Sequence, residues 1–341
     1  MGIYTIPNYS EDRSVDVGKS NKEKLIDGEG NLKFTSVYIH LAPVCNFNCR
    51  GCYTAEQIKS GKRDFKRLDF KTVCRIIDFA KDRGAESIAF AGAGEPTLDP
   101  DFDRICDYIA TKKMKVVLFT NCTRIKSKEY AKRLLLNGPV MGKLYSLNEA
   151  KFNDIARRDG AFKETTTGLR LLIEAKNELV EDGSKTILGV ESYVTKSSAE
   201  DLVEVLRFCG KNGIIPYFEA FIEICQSKKL IEETALSEEE LANFFKKLRL
   251  IDEKEFGNNV SIKHLSRVYG QDPCFRTTHF FCASNDGSIQ MCTCSLNTVG
   301  QITNHEDPYP ILEGIFDGRN KSLLRFMKCN GCSKRIKQKF L

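Results

Sequence analysis

The sequence predicts an α/β protein built as a partial (β/α)6 TIM-like barrel followed by a small cysteine-rich domain. Two observations carry that expectation. From Ser36 to about Phe221, short apolar runs alternate with longer amphipathic segments, the pattern of repeated βα units on a parallel sheet; six such units are fewer than the eight that close a full barrel. After about Gln226 the pattern changes to one charged helix and then to a stretch dense in cysteine.

In chain order, residues 1–34 are polar, with Gly28 and Gly30 in a turn-rich stretch, and form an extension before the first strand. Strands are expected at Ser36–Leu41, Ser87–Phe90, Lys115–Thr120, Gly142–Ser146, Thr186–Thr195 and Ile214–Phe221. Between them, apolar residues at three-to-four spacing predict helices around Phe70–Arg83, Phe102–Lys112, Lys128–Leu136, Lys163–Leu179 and Ala199–Asn212. The barrel then occupies residues 35–228. Residues 229–341 supply a linker helix at Ser237–Glu255 and the cysteine-rich domain, with a strand-like run at Ser288–Met291.

The chain has 341 residues, 41% of them hydrophobic, enough for one large core and one small one. Its formal charge of +6 comes from 52 basic and 46 acidic residues that alternate along most of the length, a solvated surface and not a nucleic-acid footprint. The local excess at Ser333–Lys339 reads as a solubilising end or a contact for an acidic partner. No secretory signal and no apolar run of membrane-spanning length is seen, so a cytoplasmic protein with no membrane partner is expected. Fourteen cysteines in a reducing compartment point to metal binding, because thiols there stay free.

The first expected strand runs into Ala42-Pro43-Val44-Cys45-Asn46-Phe47-Asn48-Cys49-Arg50-Gly51-Cys52-Tyr53. Composition alone would give about 0.02 such triplets of thiols, so the spacing carries information. A structural zinc ion wants four protein ligands, and this loop offers three with no histidine. An iron-sulfur cubane with one iron left free of protein fits the count.

Cys45, Cys49 and Cys52 resemble the CxxxCxxC motif of the radical S-adenosylmethionine (SAM) superfamily. The resemblance implies a 4Fe-4S cluster whose free iron chelates SAM and whose electron cleaves it to methionine and a 5′-deoxyadenosyl radical. Gly51 stands where the family usually carries an aromatic residue against adenine, and Tyr53 or backbone is the substitute contact. Ala91-Gly92-Ala93-Gly94-Glu95-Pro96, with Asp99 and Pro100 opening a helix, would by itself read as an ordinary strand-to-helix turn. Placed after the cysteine loop it resembles the family's GGEP motif, with Ala93 for the first glycine. The resemblance then gives backbone around Ala93 and Gly94, with Glu95 nearby, to the methionine amino group. It likewise implies that Asn121, Ser146 and Glu191, at later strand ends beside Lys143, hold the carboxylate and ribose; the plainer alternative for each is a satisfied polar group inside the barrel.

Cys274, Cys282, Cys292, Cys294, Cys329 and Cys332 follow in the C-terminal region, with Asp286-Gly287 as a hairpin turn signal. Four of these thiolates can hold zinc or an iron-sulfur cluster, and spacing does not separate the two. The region resembles the SPASM or shortened twitch extension of radical SAM enzymes, which implies a second, auxiliary 4Fe-4S cluster on Cys274, Cys292, Cys329 and Cys332, leaving Cys282 and Cys294 spare or as alternative ligands. Cys74, Cys106 and Cys209 sit on apolar helical faces as core residues. Cys225 follows the last barrel strand near Glu219 and Glu223; it reads as a small buried hydrophobe or as a hydrogen donor to a substrate radical.

The activity implied is abstraction of a substrate hydrogen atom for oxidation of a small molecule such as an amino-cyclitol or sugar. Peptide or protein maturation and epimerisation are the alternatives within the family, and a non-catalytic metal-binding docking module is the alternative outside it. A small-molecule or peptide substrate and an external reductant such as flavodoxin or ferredoxin are the implied partners.

Overall fold

The computed structural model describes residues 33–52, 54–55, 66–220, 232–257, 281–291 and 298–317. By density of contacts the chain divides into two compact units.

The first unit takes residues to Val44, Asp64–Val117 and Gly270 onward. Strand β1 (Ser36–Ile39) pairs in parallel with β2 (Ser87–Phe90), Ser36 opposite Ser87. Between them in sequence runs helix α1 (Phe70–Asp82), started by the Asp69 carboxylate accepting from Thr72 N–H at 2.7 Å. Its Val73, Ile76, Ile77 and Ala80 are buried, one stripe at helical spacing. Helix α2 (Phe102–Thr111) leads to strand β3 (Lys115–Thr120), whose first residue donates its N–H to the Glu86 carbonyl at 2.9 Å. On the other side of β1 lies a short strand β4 (Cys282–Ala283), parallel to it, with Tyr38 opposite Cys282. Strand β4 pairs antiparallel with β5 (Ser288–Gln290) across the expected Asp286-Gly287 turn, and β5 pairs with β6 (Thr298–Gln301). Helix α3 (Pro308–Ile315) closes this part.

An aromatic cluster binds these pieces together. The ring of Phe281 lies 5.1 Å from Phe34, 6.1 Å from Phe79 and 4.7 Å from Phe316, centroid to centroid, and all four side chains are buried. Phe281→Ala is expected to cost about 3–5 kcal/mol of unfolding free energy, since the cavity is walled by rings that cannot collapse into it. A denaturant titration of both proteins checks this.

The second unit takes Cys45–Arg63 and Leu118–Tyr269, including the last three residues of β3. Its sheet is wholly parallel: β3, then β7 (Val140–Lys143), β8 (Leu188–Val194) and β9 (Ile215–Ala220), with Leu118 opposite Val140, Val140 opposite Leu188 and Gly189 opposite Ile215. The connecting helices are α4 (Lys128–Asn137), α5 (Glu149–Ala156), α6 (Ala161–Glu181) and α7 (Ala199–Asn212), and α8 (Glu238–Phe256) follows. Helix α8 begins with a full capping box, Ser237 and Glu240 each binding the other's backbone N–H.

Two readings change. Strand β7 begins at Val140 and ends at Lys143, so Ser146 lies three residues beyond it and not on it. The strand instead takes in the buried apolar pair Val140-Met141, ahead of the expected start at Gly142. Helix α5 was not expected, because it is short and follows a Ser-Leu-Asn stretch that looks like loop; the Asn148 side chain accepting from Lys151 N–H at 3.0 Å starts it.

Candidate active site

In the first unit, β1 delivers the chain to Ala42-Pro43-Val44, the residues just before Cys45. That segment is held at two points. Ala42 N–H donates to Asp99 Oδ2 at 2.9 Å, and Glu95 N–H donates to the Val44 carbonyl at 2.8 Å. Between these, Gly94 has φ +128°, and a Cβ there would stand 2.5 Å from the Val44 oxygen and 2.8 Å from the Ala42 oxygen. Only glycine lets the two backbones approach this closely. Ala93 takes φ +59° in full burial, the left-handed region where glycine is the usual occupant. The buried Glu95 carboxylate caps the turn Pro96–Leu98, accepting from Thr97 N–H at 3.2 Å and from its hydroxyl at 2.7 Å.

In the second unit the thiol loop rests on the C-terminal end of α5. A helix leaves its last carbonyls without internal partners, and here the loop supplies donors. Asn48 N–H reaches the Ala156 carbonyl at 3.1 Å and Arg50 N–H the Ile155 carbonyl at 2.8 Å. The Arg50 guanidinium pairs with the Asp154 carboxylate at 2.5 Å. Phe47 is buried under the Arg158 guanidinium, 5.5 Å from its ring centroid. The other side of the loop is tied by an amide network. Asn121 Nδ2 donates to Asn46 Oδ1 at 2.7 Å, Asn46 Nδ2 donates to the Thr123 hydroxyl at 2.9 Å, and that hydroxyl donates to Asn121 Oδ1 at 2.7 Å.

The three thiols sit close enough to feel one another. Burial pushes the Cys49 thiol up to about 12, with Cys52 and Cys45 adding to the rise. Tyr145 OH lies 4.0 Å from Cys49 Sγ, while Cys45 is exposed. No group of three His, Cys, Asp or Glu side chains among the described residues is arranged to hold a single metal ion. Three mutually close thiols, one of them open to solvent, fit the wider cage of a cubane that keeps one iron free.

Beside the loop, on the inner side of β7 and β8, Lys143 forms a short ion pair with Glu191, its partner in the strand register. Burial works against the ammonium, but the Glu191 carboxylate outweighs it and holds the Lys143 pKa above its ordinary value. The ammonium also lies 5.2 Å from the Tyr193 ring centroid. Tyr193 in turn stacks on Tyr145, centroids 6.2 Å apart.

Asn121 and Glu191 are therefore brought to the neighbourhood of the thiol loop within one unit, each with a protein partner. Ser146 is fully buried, its hydroxyl accepting from Asn148 N–H at 2.9 Å. Ala93, Gly94 and Glu95 lie together at the exit of β2. Cys282 sits in β4, fully buried, its Sγ 3.5 Å from His40 Nε2, while His40 Nδ1 is 3.4 Å from Ser284 Oγ. Cys74, Cys106 and Cys209 are buried in α1, α2 and α7. Tyr53, Cys225, Cys274, Cys292, Cys294, Cys329 and Cys332 lie outside the described residues. The sequence reading missed Asn46, Thr123 and the α5 carbonyls; only the three polar residues following β3, Asn121-Cys122-Thr123, gave a hint.

The profile of the radical SAM superfamily matches residues 39–209. The chain is 26% identical over 209 residues to the GTP 3′,8-cyclase of Aliarcobacter butzleri, covering 60% of each. It is 34% identical over 137 residues to the mycofactocin maturase MftC of Mycobacterium ulcerans, covering 40% of this chain and 35% of that one. The chain thus spans no more than about three fifths of the length of these relatives. Among solved structures, Streptococcus suis SuiB bound to its precursor peptide SuiA superposes at a TM-score of 0.62 with 19% identity, covering 93% of this chain and 75% of that one, which shows a shared fold. With the partial-barrel architecture, the three-thiol loop and a profile match over half its length, the chain belongs to the radical SAM superfamily, whose enzymes bind a 4Fe-4S cluster and SAM.

Proposed function

We propose that this chain cleaves SAM reductively on a cluster held by Cys45, Cys49 and Cys52 and uses the resulting radical to remove a hydrogen atom from an organic substrate. The single observation behind this is the loop of three neighbouring thiols, Cys45, Cys49 and Cys52, with no fourth ligand beside them among the described residues. When bound, the cluster supplies one electron and an open iron to SAM. The protein's own part is to hold and shield. Ala93, Gly94 and Glu95 offer a tight backbone turn to the methionine end. Asn121, Ser146 and Glu191 are the polar groups for the carboxylate and ribose, and Tyr53 is the residue for adenine.

We assign the reaction to oxidation of a small molecule such as an amino-cyclitol or sugar. In this reading Cys274, Cys292, Cys329 and Cys332, within residues 229–341, would hold a second 4Fe-4S cluster, which would supply an electron acceptor for the substrate radical. Peptide maturation is the second reading, supported by the likeness to MftC. Flavodoxin or ferredoxin is the reductant class that suits either, and Cys225 is the donor if the outcome is epimerisation. Anaerobic incubation with SAM and dithionite should release 5′-deoxyadenosine. A protein that carries its clusters and yields none would sink the radical mechanism. Adding amino-cyclitols in one arm and candidate peptides in another separates the readings by which one accelerates release.

A further inference from the structure

The carboxylate of Asp99 has a role that a helix start does not account for. Helix α2 begins three residues later, at Phe102, with Asp101 as its N-cap. The Asp99 side chain is 2% exposed and is surrounded by donors from three separate segments of the first unit. Its Oδ2 accepts from Ala42 N–H at 2.9 Å. Its Oδ1 accepts from Asp101 N–H at 2.9 Å and from Arg67 Nη1 at 2.8 Å. Arg67 spans both acids, its Nη2 reaching Asp101 Oδ2 at 2.5 Å.

The Arg67 backbone is fixed from the far side as well. Its carbonyl accepts from Asn304 Nδ2 at 3.1 Å, and Asn304 Oδ1 accepts from Asp69 N–H at 2.9 Å. Asn285 Nδ2 donates to the neighbouring Lys66 carbonyl at 2.7 Å. The guanidinium is thus anchored through the region of β4–β6 before it meets Asp99.

We propose that Asp99 is a positioning residue for SAM binding, fixing the segment Ala42–Val44 that leads into Cys45 against the turn Ala93–Glu95. The proposal rests on the reading that these two pieces share the work of binding SAM. Asp99 belongs to the same chain turn as Gly94 and Glu95 and grips Ala42, while Glu95 N–H grips Val44. Two clamps two residues apart, at Ala42 and Val44, leave the segment no freedom to slide. A buried carboxylate also needs its cation, and a planar guanidinium satisfies two acids at once where a lysine satisfies one.

The test compares full-length parent, Asp99→Asn, Asp101→Asn and Arg67→Lys, all reconstituted anaerobically, with Asp307→Asn as the control. Asp307 pairs with Arg75 at 2.8 Å and caps α3, so its loss weakens the same unit without touching the clamp. The readouts are the SAM-induced change in the electron paramagnetic resonance of the reduced cluster, and KM and kcat for 5′-deoxyadenosine release. We expect Asp99→Asn to raise KM for SAM about tenfold with kcat changed far less, Asp101→Asn and Arg67→Lys to fall between it and the parent, and Asp307→Asn to lower only the melting midpoint. If Asp99→Asn does not fold, Asp101→Asn and Arg67→Lys carry the comparison. Parent-like KM and spectra in the folded clamp variants, or an equal shift in Asp307→Asn, would overturn the inference. A parent protein with no SAM-dependent spectral change would instead overturn the functional reading beneath it.

Discussion

Gly94→Val is expected to abolish SAM cleavage while leaving a protein that still folds. The added side chain has nowhere to go: its first carbon meets the Val44 oxygen at 2.5 Å, the Val44 nitrogen at 2.8 Å and the Ala42 oxygen at 2.8 Å, all backbone atoms that cannot rotate aside. At φ +128° the substitution is strained as well. Relief requires the turn and the segment before Cys45 to separate by the better part of an ångström. Misplacement on that scale costs on the order of 10²-fold in rate when it affects reacting groups. The overpacking itself destabilises by about 1–3 kcal/mol, within reach of a stable domain. Timed release of 5′-deoxyadenosine, read beside a melting curve, separates the two effects. Parent-like release would mean that the turn does not help to hold SAM.

Glu191→Ala should be the most destabilising change in the second unit. It leaves the Lys143 ammonium without its carboxylate inside the barrel, and breaking a buried pair from one side costs about 3–5 kcal/mol. The double change Lys143→Met with Glu191→Leu removes both charges and should recover most of that loss, because neither group is then left unpaired. Urea titrations of the three proteins check it. A single variant within 1 kcal/mol of the parent, on the order of an exposed pair, would show that water reaches the lysine.

Much of this was legible beforehand, and the reason differs from element to element. Helices α1 and α7 could be placed because their buried residues recur with a helical period, as in Val73, Ile76, Ile77 and Ala80. The thiol loop could be found because its chemistry lies in the spacing of three residues along the chain. What stayed hidden depends on partners distant in sequence. Nothing local to Asp99 announces a bond to Ala42, 57 residues away. Nothing local to Asn46 announces Asn121 and Thr123, and α5 contributes through bare carbonyls, which every residue possesses. Strand β7 was expected two residues late, at Gly142–Ser146, although its register against β8, Val140 opposite Leu188, is unambiguous in space. The short strand β4 is only two residues long and exists because β1 offers it an open edge.

The most direct measurement is iron and acid-labile sulfide per chain after anaerobic purification, in the parent and in a Cys45→Ala/Cys49→Ala/Cys52→Ala variant. About eight irons falling to about four is the expected result, with the SAM-dependent spectral change lost in the variant. Iron content indifferent to the triple substitution, or zinc in place of iron, would contradict a SAM-binding cluster on these three cysteines.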